Sequence, residues 1–270
     1  MTLRLADYEA ALRPEGDLAE ALAVSQRRLR RVQRARTAHG GRAIIVIEGW
    51  HASERGNAIR RLATGLDPRH LRAWPIGAPN VEEEGRHWLQ RFWAKLPARG
   101  EIALFDGSWY RHVLADRVEG PGGKIEWKRA CDEINEFEAR QVEAGAAIVK
   151  LFLHVTAEEQ RRRLADRLTQ PWSASTVSPE ALRQHARYGD YAAATEQMFA
   201  RTDTRWAPWT VVAAGRAKPA RIAILDRVAT VLEKGFPAIP PEADPRIVAE
   251  ARRLGIVRAD EGGGAAEGGV

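Results

Sequence analysis

From Arg42 onward, short apolar runs alternate with stretches of helical periodicity, and this alternation constrains the fold more than any other feature of the chain. The expected strands cover residues 43–47, 70–74, 102–105, 148–155 and 210–213. Strands that are apolar along their whole length are buried on both faces, which is the habit of parallel strands covered by helices. The intervening stretches supply the helices, at 57–66, 82–96, 134–144, 156–168, 178–200 and 220–234. In the second of these, Leu89, Phe92, Trp93 and Leu96 share one face. Thr156-x-x-Glu159 has capping-box spacing, and Ser178-Pro179 places a cap before a first-turn proline. The expected architecture is a three-layer α/β/α arrangement around a five-stranded, mainly parallel sheet.

A further helix is expected at 17–38, where Asp17 and Glu20 have capping-box spacing. Leu18, Leu22, Leu29 and Val32 form its apolar stripe, and Arg27, Arg28, Arg30, Arg31, Arg34 and Arg36 its outward face. The formal net charge is +6. That balance suits an anionic partner: nucleic acid, polyphosphate, nucleotide or acidic lipid. It equally suits a solvated basic face. No apolar run reaches the roughly 20 residues of a membrane span, and the N-terminus lacks the apolar core of a secretory signal. The single Cys131 has no internal partner, so a reduced, partly buried thiol and a cytoplasmic location are expected. Residues 261–270 read as a flexible glycine-rich tail.

The first apolar run leads into "EGWHASERGN", residues 48–57, where a phosphate-binding loop belongs. A Walker A loop reads G-x-x-x-x-G-K-[ST]. Here Gly49 begins the pattern, Glu54 replaces the second glycine and Arg55 the lysine. The third run ends in Asp106, which resembles a strand-end Mg²⁺ carboxylate and equally a common turn former. Arg161, Arg162, Arg163 and Arg167 precede a polar loop with proline, as on the arginine lid of a nucleotide kinase, or as on a solvated helix face.

Several ordered motifs resemble the second family of polyphosphate kinases over about residues 5–237. They are Glu48-Gly49, "WPIGAPNVEEE" at 74–84 and "LPARGEIALFDGSWY" at 96–110. They continue with "INEFEARQVEAGAAIVKLFLHVTAEEQRRRLADR" at 134–167 and "TDTRWAPWTVVAA" at 202–214. The resemblance implies a P-loop kinase fold with a helical lid at about 156–200, and phosphoryl transfer between inorganic polyphosphate and a nucleoside mono- or diphosphate with Mg²⁺ or Mn²⁺. It implies catalytic roles for Asp106, also the metal ligand, and for Arg55, Arg111 and Arg117. Phosphate or nucleotide contacts fall to Gly49, His51, Ser53, Gly56, Asn57, Arg163 and Arg167. The chain divides on this reading into an extension at 1–40, a kinase-like domain at 41–237 and a C-terminal extension at 238–270. A homo-oligomer is expected, with no membrane partner and no nucleic acid.

The departures from the family pattern lie where the chemistry belongs. The family loop reads E-G-x-D-A-x-G-K-G-G, so its aspartate is His51 here, its glycine Glu54 and its lysine Arg55. The arginine of F-D-R-S is Gly107, the basic residue after the tyrosine is Arg111 or His112, and the lid segment 169–176 has no lysine. A histidine is a poor ligand for Mg²⁺, although a protonated His51 would contact phosphate. Two readings stay open on the sequence: a divergent phosphotransferase, or a pseudoenzyme that keeps the fold and binds nucleotide, polyphosphate or a partner.

Overall fold

The structure, a computed structural model, describes residues 3–10, 12, 16–120, 124–236, 240 and 242–257. The tail expected at 261–270 lies outside them. Two compact units divide the chain, Met1–Ala238 and Ile239–Val270.

The first unit holds five strands: β1 Arg42–Gly49, β2 Leu71–Pro75, β3 Ile102–Asp106, β4 Ala146–His154 and β5 Trp209–Ala213. Their order is β2-β3-β1-β4-β5, and every pairing is parallel. The central strand β1 is buried from Ala43 to Glu48, as its unbroken apolar run requires. The helices are α1 Leu18–Ala38, α2 Arg55–Gly65, α3 Lys124–Glu143, α4 Ala157–Leu168, α5 Pro179–Ala186, α6 Tyr188–Thr202 and α7 Ala217–Leu232. The second unit carries α8, Pro245–Arg253, whose N-terminus is capped by Asp244.

Several sequence expectations need correction. The helix expected at 82–96 is two single turns, Val81–Glu84 and Gln90–Trp93. Asn80 and Glu83 close a capping box that starts the first turn, and Gly85 ends it. Leu89 and Phe92 are still buried, whereas Trp93 is half exposed. The helix expected at 178–200 breaks at Arg187, whose backbone leaves helical geometry (φ −111°, ψ 31°), giving α5 and α6. Thr156 accepts from Glu159 N–H, but the Glu159 carboxylate turns to Arg162 and Arg163 and does not complete the box. Asp17 caps α1 through Ala19 N–H, while Glu20 pairs with Arg27.

The arginine face of α1 is not wholly outward. Arg36 is buried, and it donates to the carbonyls of Leu232 (2.7 Å) and Arg42 (3.0 Å). Burial lowers its guanidinium to about 10. Arg28 donates to Glu233 at 2.8 Å. These contacts fasten α1 to the C-terminal end of α7, so two of the expected surface cations act inside the fold. Cys131, expected to be partly buried, is fully buried and free, and burial pushes its thiol up to about 11.

Beneath the end of β3 lies a buried ionic network. Lys150 Nζ donates to Glu138 Oε2 (2.8 Å), Tyr110 Oη (2.8 Å) and Thr202 O (2.7 Å). Both charged side chains are 0% exposed. Tyr110 and Trp109 also donate to Glu138 Oε1. A fully satisfied buried network fixes geometry, and this one fixes the turn that carries Arg111.

Candidate functional site

The loop after β1 begins with a position that only glycine fits. Gly49 has φ +147°, and a Cβ there would lie 2.5 Å from the Leu153 carbonyl oxygen and 2.8 Å from its nitrogen. Trp50 then anchors the loop. Its backbone N–H donates to Leu153 O (3.2 Å), its indole N–H to His154 Nδ1 (2.9 Å), and its ring stacks on Tyr188 of α6 at 4.0 Å.

His51 follows, with its backbone N–H on Gln184 Oε1 (2.7 Å) and its carbonyl accepting from Gln160 Nε2 (3.2 Å). Burial, together with Arg55, Arg111 and Arg167 and against Glu180, pushes its ring down to about 4. His51 is therefore neutral near pH 7, and the expected protonated contact with phosphate does not describe this state. Ser53 is buried and its hydroxyl has no hydrogen-bond partner among the described residues. Ala52 and Glu54 both take left-handed backbone, at φ 63° and 71°. The loop thus keeps a glycine-like path at Glu54 without glycine, at a cost of about 1–2 kcal/mol.

The carboxylate of Glu54 turns away from the loop mouth. It accepts from Asn57 Nδ2 (2.7 Å) and from Arg221 Nη2 on α7 (2.9 Å). Burial raises its carboxyl, but these hydrogen bonds outweigh burial and leave it below the usual range. Negative charge is thereby kept off the loop's inner face.

Arg55, the first residue of α2, points the other way. Its Nε lies 2.5 Å from Asp106 Oδ1 at the end of β3, the strand beside β1. The contact is an ion pair rather than an aligned hydrogen bond, so Oδ1 is buried without a hydrogen-bond partner among the described residues. Behind it sits Glu48, buried, accepting from Ser108 Oγ at 2.7 Å. Burial pushes the Glu48 carboxyl up, against Arg55 and the Ser108 hydrogen bond.

A cavity of about 110 Å³ opens here, lined among others by Glu48, His51, Arg55, Gly107, Arg111 and Glu180. The structure therefore brings Gly49, His51, Arg55 and Arg111 together, with Asp106 bound to Arg55. Arg111, not His112, faces the cavity; its Nη1 meets Glu180 Oε1 at 2.5 Å, whereas His112 stacks on Trp88. Arg167 is half-buried on α4, its guanidinium makes no hydrogen bond or ion pair with another described residue, and its charge acts on His51.

Other expected residues lie elsewhere. Arg117 turns to Gln197 (2.5 Å) and covers the Trp127 ring at 3.8 Å. Arg163 supports the loop from behind: it donates to the carbonyls of Ala52 (3.1 Å), Ala214 (2.7 Å) and Gly215 (3.0 Å) and pairs with Glu159. Asn57 is spent on Glu54, and a side chain at Gly56 would meet open space. Glu180 and Gln184 were not anticipated as cavity residues. In the sequence Glu180 reads only as first-turn acid after Ser178-Pro179. Ser108 had a signal, since it stands inside the F-D-x-S motif.

Among the described residues, no group of three or more His, Cys, Asp or Glu gathers as a metal centre. Mg²⁺ commonly relies on one or two carboxylates plus substrate phosphates. Asp106, with its orphaned buried oxygen, and the neighbouring Glu48 meet that smaller requirement, and neutral His51 does not. No helix among the described residues is long and apolar enough to cross a membrane.

A family model described as Polyphosphate kinase 2 (PPK2) matches residues 14–236. The chain is 40% identical over 193 residues to a polyphosphate:AMP phosphotransferase of Pseudomonas syringae pv. tomato, covering 72% of this chain and 39% of that protein. It is 35% identical over 215 residues to ADP-polyphosphate phosphotransferase 2 of Rhizobium meliloti, covering 80% and 70%. The fold superimposes on the crystal structure of polyphosphate kinase 2 from Arthrobacter aurescens TC1 with TM-score 0.84 and 31% identity, over 90% of this chain and 88% of that one. The chain spans about two fifths of the length of the first curated relatives it matches, between 38% and 44%.

Proposed function

Because the chain belongs to the polyphosphate kinase 2 family, we propose that it moves a phosphoryl group between inorganic polyphosphate and a nucleoside mono- or diphosphate. The observation that carries this reading is the placement of Arg55 against Asp106, at the mouth of a loop whose path is that of a phosphate loop. Phosphoryl transfer asks the protein mainly for positioning and for neutralisation of charge on the transferring group. Arg55, Arg111 and Arg167 supply the cations, and the N–H groups at the start of α2, which begins at Arg55, supply donors. Asp106, with Glu48 behind it, would hold the divalent ion, Mg²⁺ or Mn²⁺. When bound, it would help to neutralise the negative charge on the transferring phosphoryl group.

Arg55 holds Asp106 in this structure, so substrate phosphate competes with Asp106 for the guanidinium and frees the carboxylate. A guanidinium presents a wider fork than the lysine it replaces, and the lid segment lacks lysine. Slow transfer is the expected consequence. The single buried thiol suits a reducing, cytoplasmic setting, and a homo-oligomer is the expected assembly.

The test is a phosphotransfer assay on purified protein with polyphosphate, Mg²⁺ or Mn²⁺, and each nucleoside mono- and diphosphate. Transfer that disappears in Asp106→Asn supports the reading. Absence of transfer with every nucleotide would leave a binding protein of the same fold.

A further inference from the structure

A second cavity, of about 340 Å³, lies away from the candidate site and is lined by Asn57, Arg60, Arg61, Thr64 and Arg221. The first four follow one another on α2 at helical i, i+3, i+4 and i+7 spacing, so they form one face. That face is about 10 Å long at 1.5 Å per residue. Arg221 projects from α7 opposite it. Arg60 and Arg61 are exposed, and neither guanidinium makes a hydrogen bond or ion pair with another described residue. Arg221 Nη2 donates to Glu54 Oε2, while its Nε is buried without a hydrogen-bond partner among the described residues.

Every lining side chain is polar or cationic. A lipid, a nucleoside or a peptide brings an apolar part that this groove does not accommodate, and stretched nucleic acid is usually gripped by aromatic platforms that it lacks. A ligand made only of acceptor oxygens and negative charge suits three guanidinium forks. Glu54 already shows how such a ligand is held. One of its carboxylate oxygens accepts from both Asn57 and Arg221, at the end of the groove nearest the loop.

We infer that this groove binds a stretch of linear inorganic polyphosphate, and that Glu54 is an internal anion which the incoming chain displaces from Arg221 and Asn57. The inference rests on the polyphosphate reading above and adds a second contact region to it. Glu54 stands beside Arg55, so one loop carries both the group that lines the candidate site and the group that closes the groove. Occupation of the groove releases a residue held at φ 71°, and binding in the groove is therefore felt at the loop.

The test is direct binding of end-labelled polyphosphate to the purified full chain, followed by fluorescence anisotropy at fixed salt. The Arg60→Ala/Arg61→Ala variant should bind at least about tenfold more weakly, as expected for the loss of two charge-assisted contacts. A control removing three charges from α1, Arg30→Ala/Arg31→Ala/Arg34→Ala, should change binding less than about twofold. Glu54→Gln keeps the backbone strain and the size of the side chain but removes its charge, and should bind several-fold more tightly. The inference is overturned if the α1 control weakens binding as much as the α2 variant, if Glu54→Gln binds no more tightly, or if unmodified protein binds no polyphosphate. Groove-dependent binding without phosphoryl transfer would sink the proposed activity and leave the groove standing. Transfer with groove variants that bind normally would do the reverse.

Discussion

Arg55 Nε lies 2.5 Å from Asp106 Oδ1, so the loop's cation and the strand-end carboxylate neutralise each other. Both side chains are partly exposed, at 26% and 32%. A pair of that exposure contributes roughly 0–1 kcal/mol to stability. On the function proposed above its importance is functional, because an incoming phosphate would have to separate the two groups before either is free.

Asp106→Asn should therefore lower initial rates of nucleotide phosphorylation by about 100-fold or more, with little change in the unfolding midpoint. The combined change His51→Asp, Glu54→Gly, Arg55→Lys and Gly107→Arg should raise the rate by more than the product of the four single effects, since groups acting as a unit are non-additive. Gly107 has φ +70°, with its Cβ direction 3.4 Å from Ile76 O. Gly107→Arg alone should accordingly cost about 1 kcal/mol of stability in urea unfolding. Rates for the combined variant at or below those of the natural chain would show that the present site works by its own arrangement.

At Glu54 two effects separate cleanly. Glu54→Ala loses the contacts to Asn57 and Arg221 and keeps the left-handed strain. Glu54→Gly loses the same contacts and relieves it. The glycine variant should be more stable than the alanine variant by about 1 kcal/mol. Equal urea midpoints, or a more stable alanine variant, would show that the loop relaxes around residue 54.

His51 and His154 are both pushed down to about 4, His51 by burial and neighbouring cations and His154 by burial. The unfolded chain, with ordinary histidines near 6.5, binds protons first as pH falls. Stability is thus full above about pH 6.5 and declines between 6.5 and 4, with a slope approaching two protons, or about 2.7 kcal/mol per pH unit. His154→Asn keeps an acceptor for the Trp50 indole and should remove about half of that slope between pH 6 and 5. An unchanged slope in chemical unfolding would locate the dependence in other groups.

Lys150→Met would strand Glu138 without its cation in a site where both are fully buried. The expected loss is about 3–5 kcal/mol, and Lys150→Met/Glu138→Leu should regain at least about 2 kcal/mol of it. If the double change is as unstable as the single one, the hydrogen bonds from Tyr110 and Trp109 to Glu138, rather than the charge pair, hold the region together.

β1, β3, β4 and β5 were legible because burial on two faces leaves a largely apolar run, whereas β2 is a mostly exposed edge strand, and the loop was legible because a strand, a glycine and a helix in sequence admit few paths. The two long helices were misjudged at Gly85 and Arg187, where a capping box and a backbone break interrupt a periodicity that continues past them. The direction of Glu54 was beyond sequence reasoning, because its deciding partner, Arg221, is 167 residues away. The neutral state of His51 was hidden for the same reason, being set by burial in the fold and then by cations from α2, α4 and the turn after β3. The family resemblance implied a phosphate contact for Arg163, yet the carbonyls that occupy it belong to two separate loops.

Gly49 leaves no room for a side chain, because the backbone of Leu153 stands where a Cβ would go. Glu54, five positions on, tolerates an unfavourable backbone and has found new partners. The two positions face mutation differently. A change at Gly49 pushes two central strands apart and is eliminated with the fold, whereas changes at 51, 54 and 55 alter what the loop does with a modest effect on stability. Lineages built on this scaffold are thus free to drift in chemistry along a route they cannot leave, and a lost activity can be regained by side-chain replacement without re-evolving the loop.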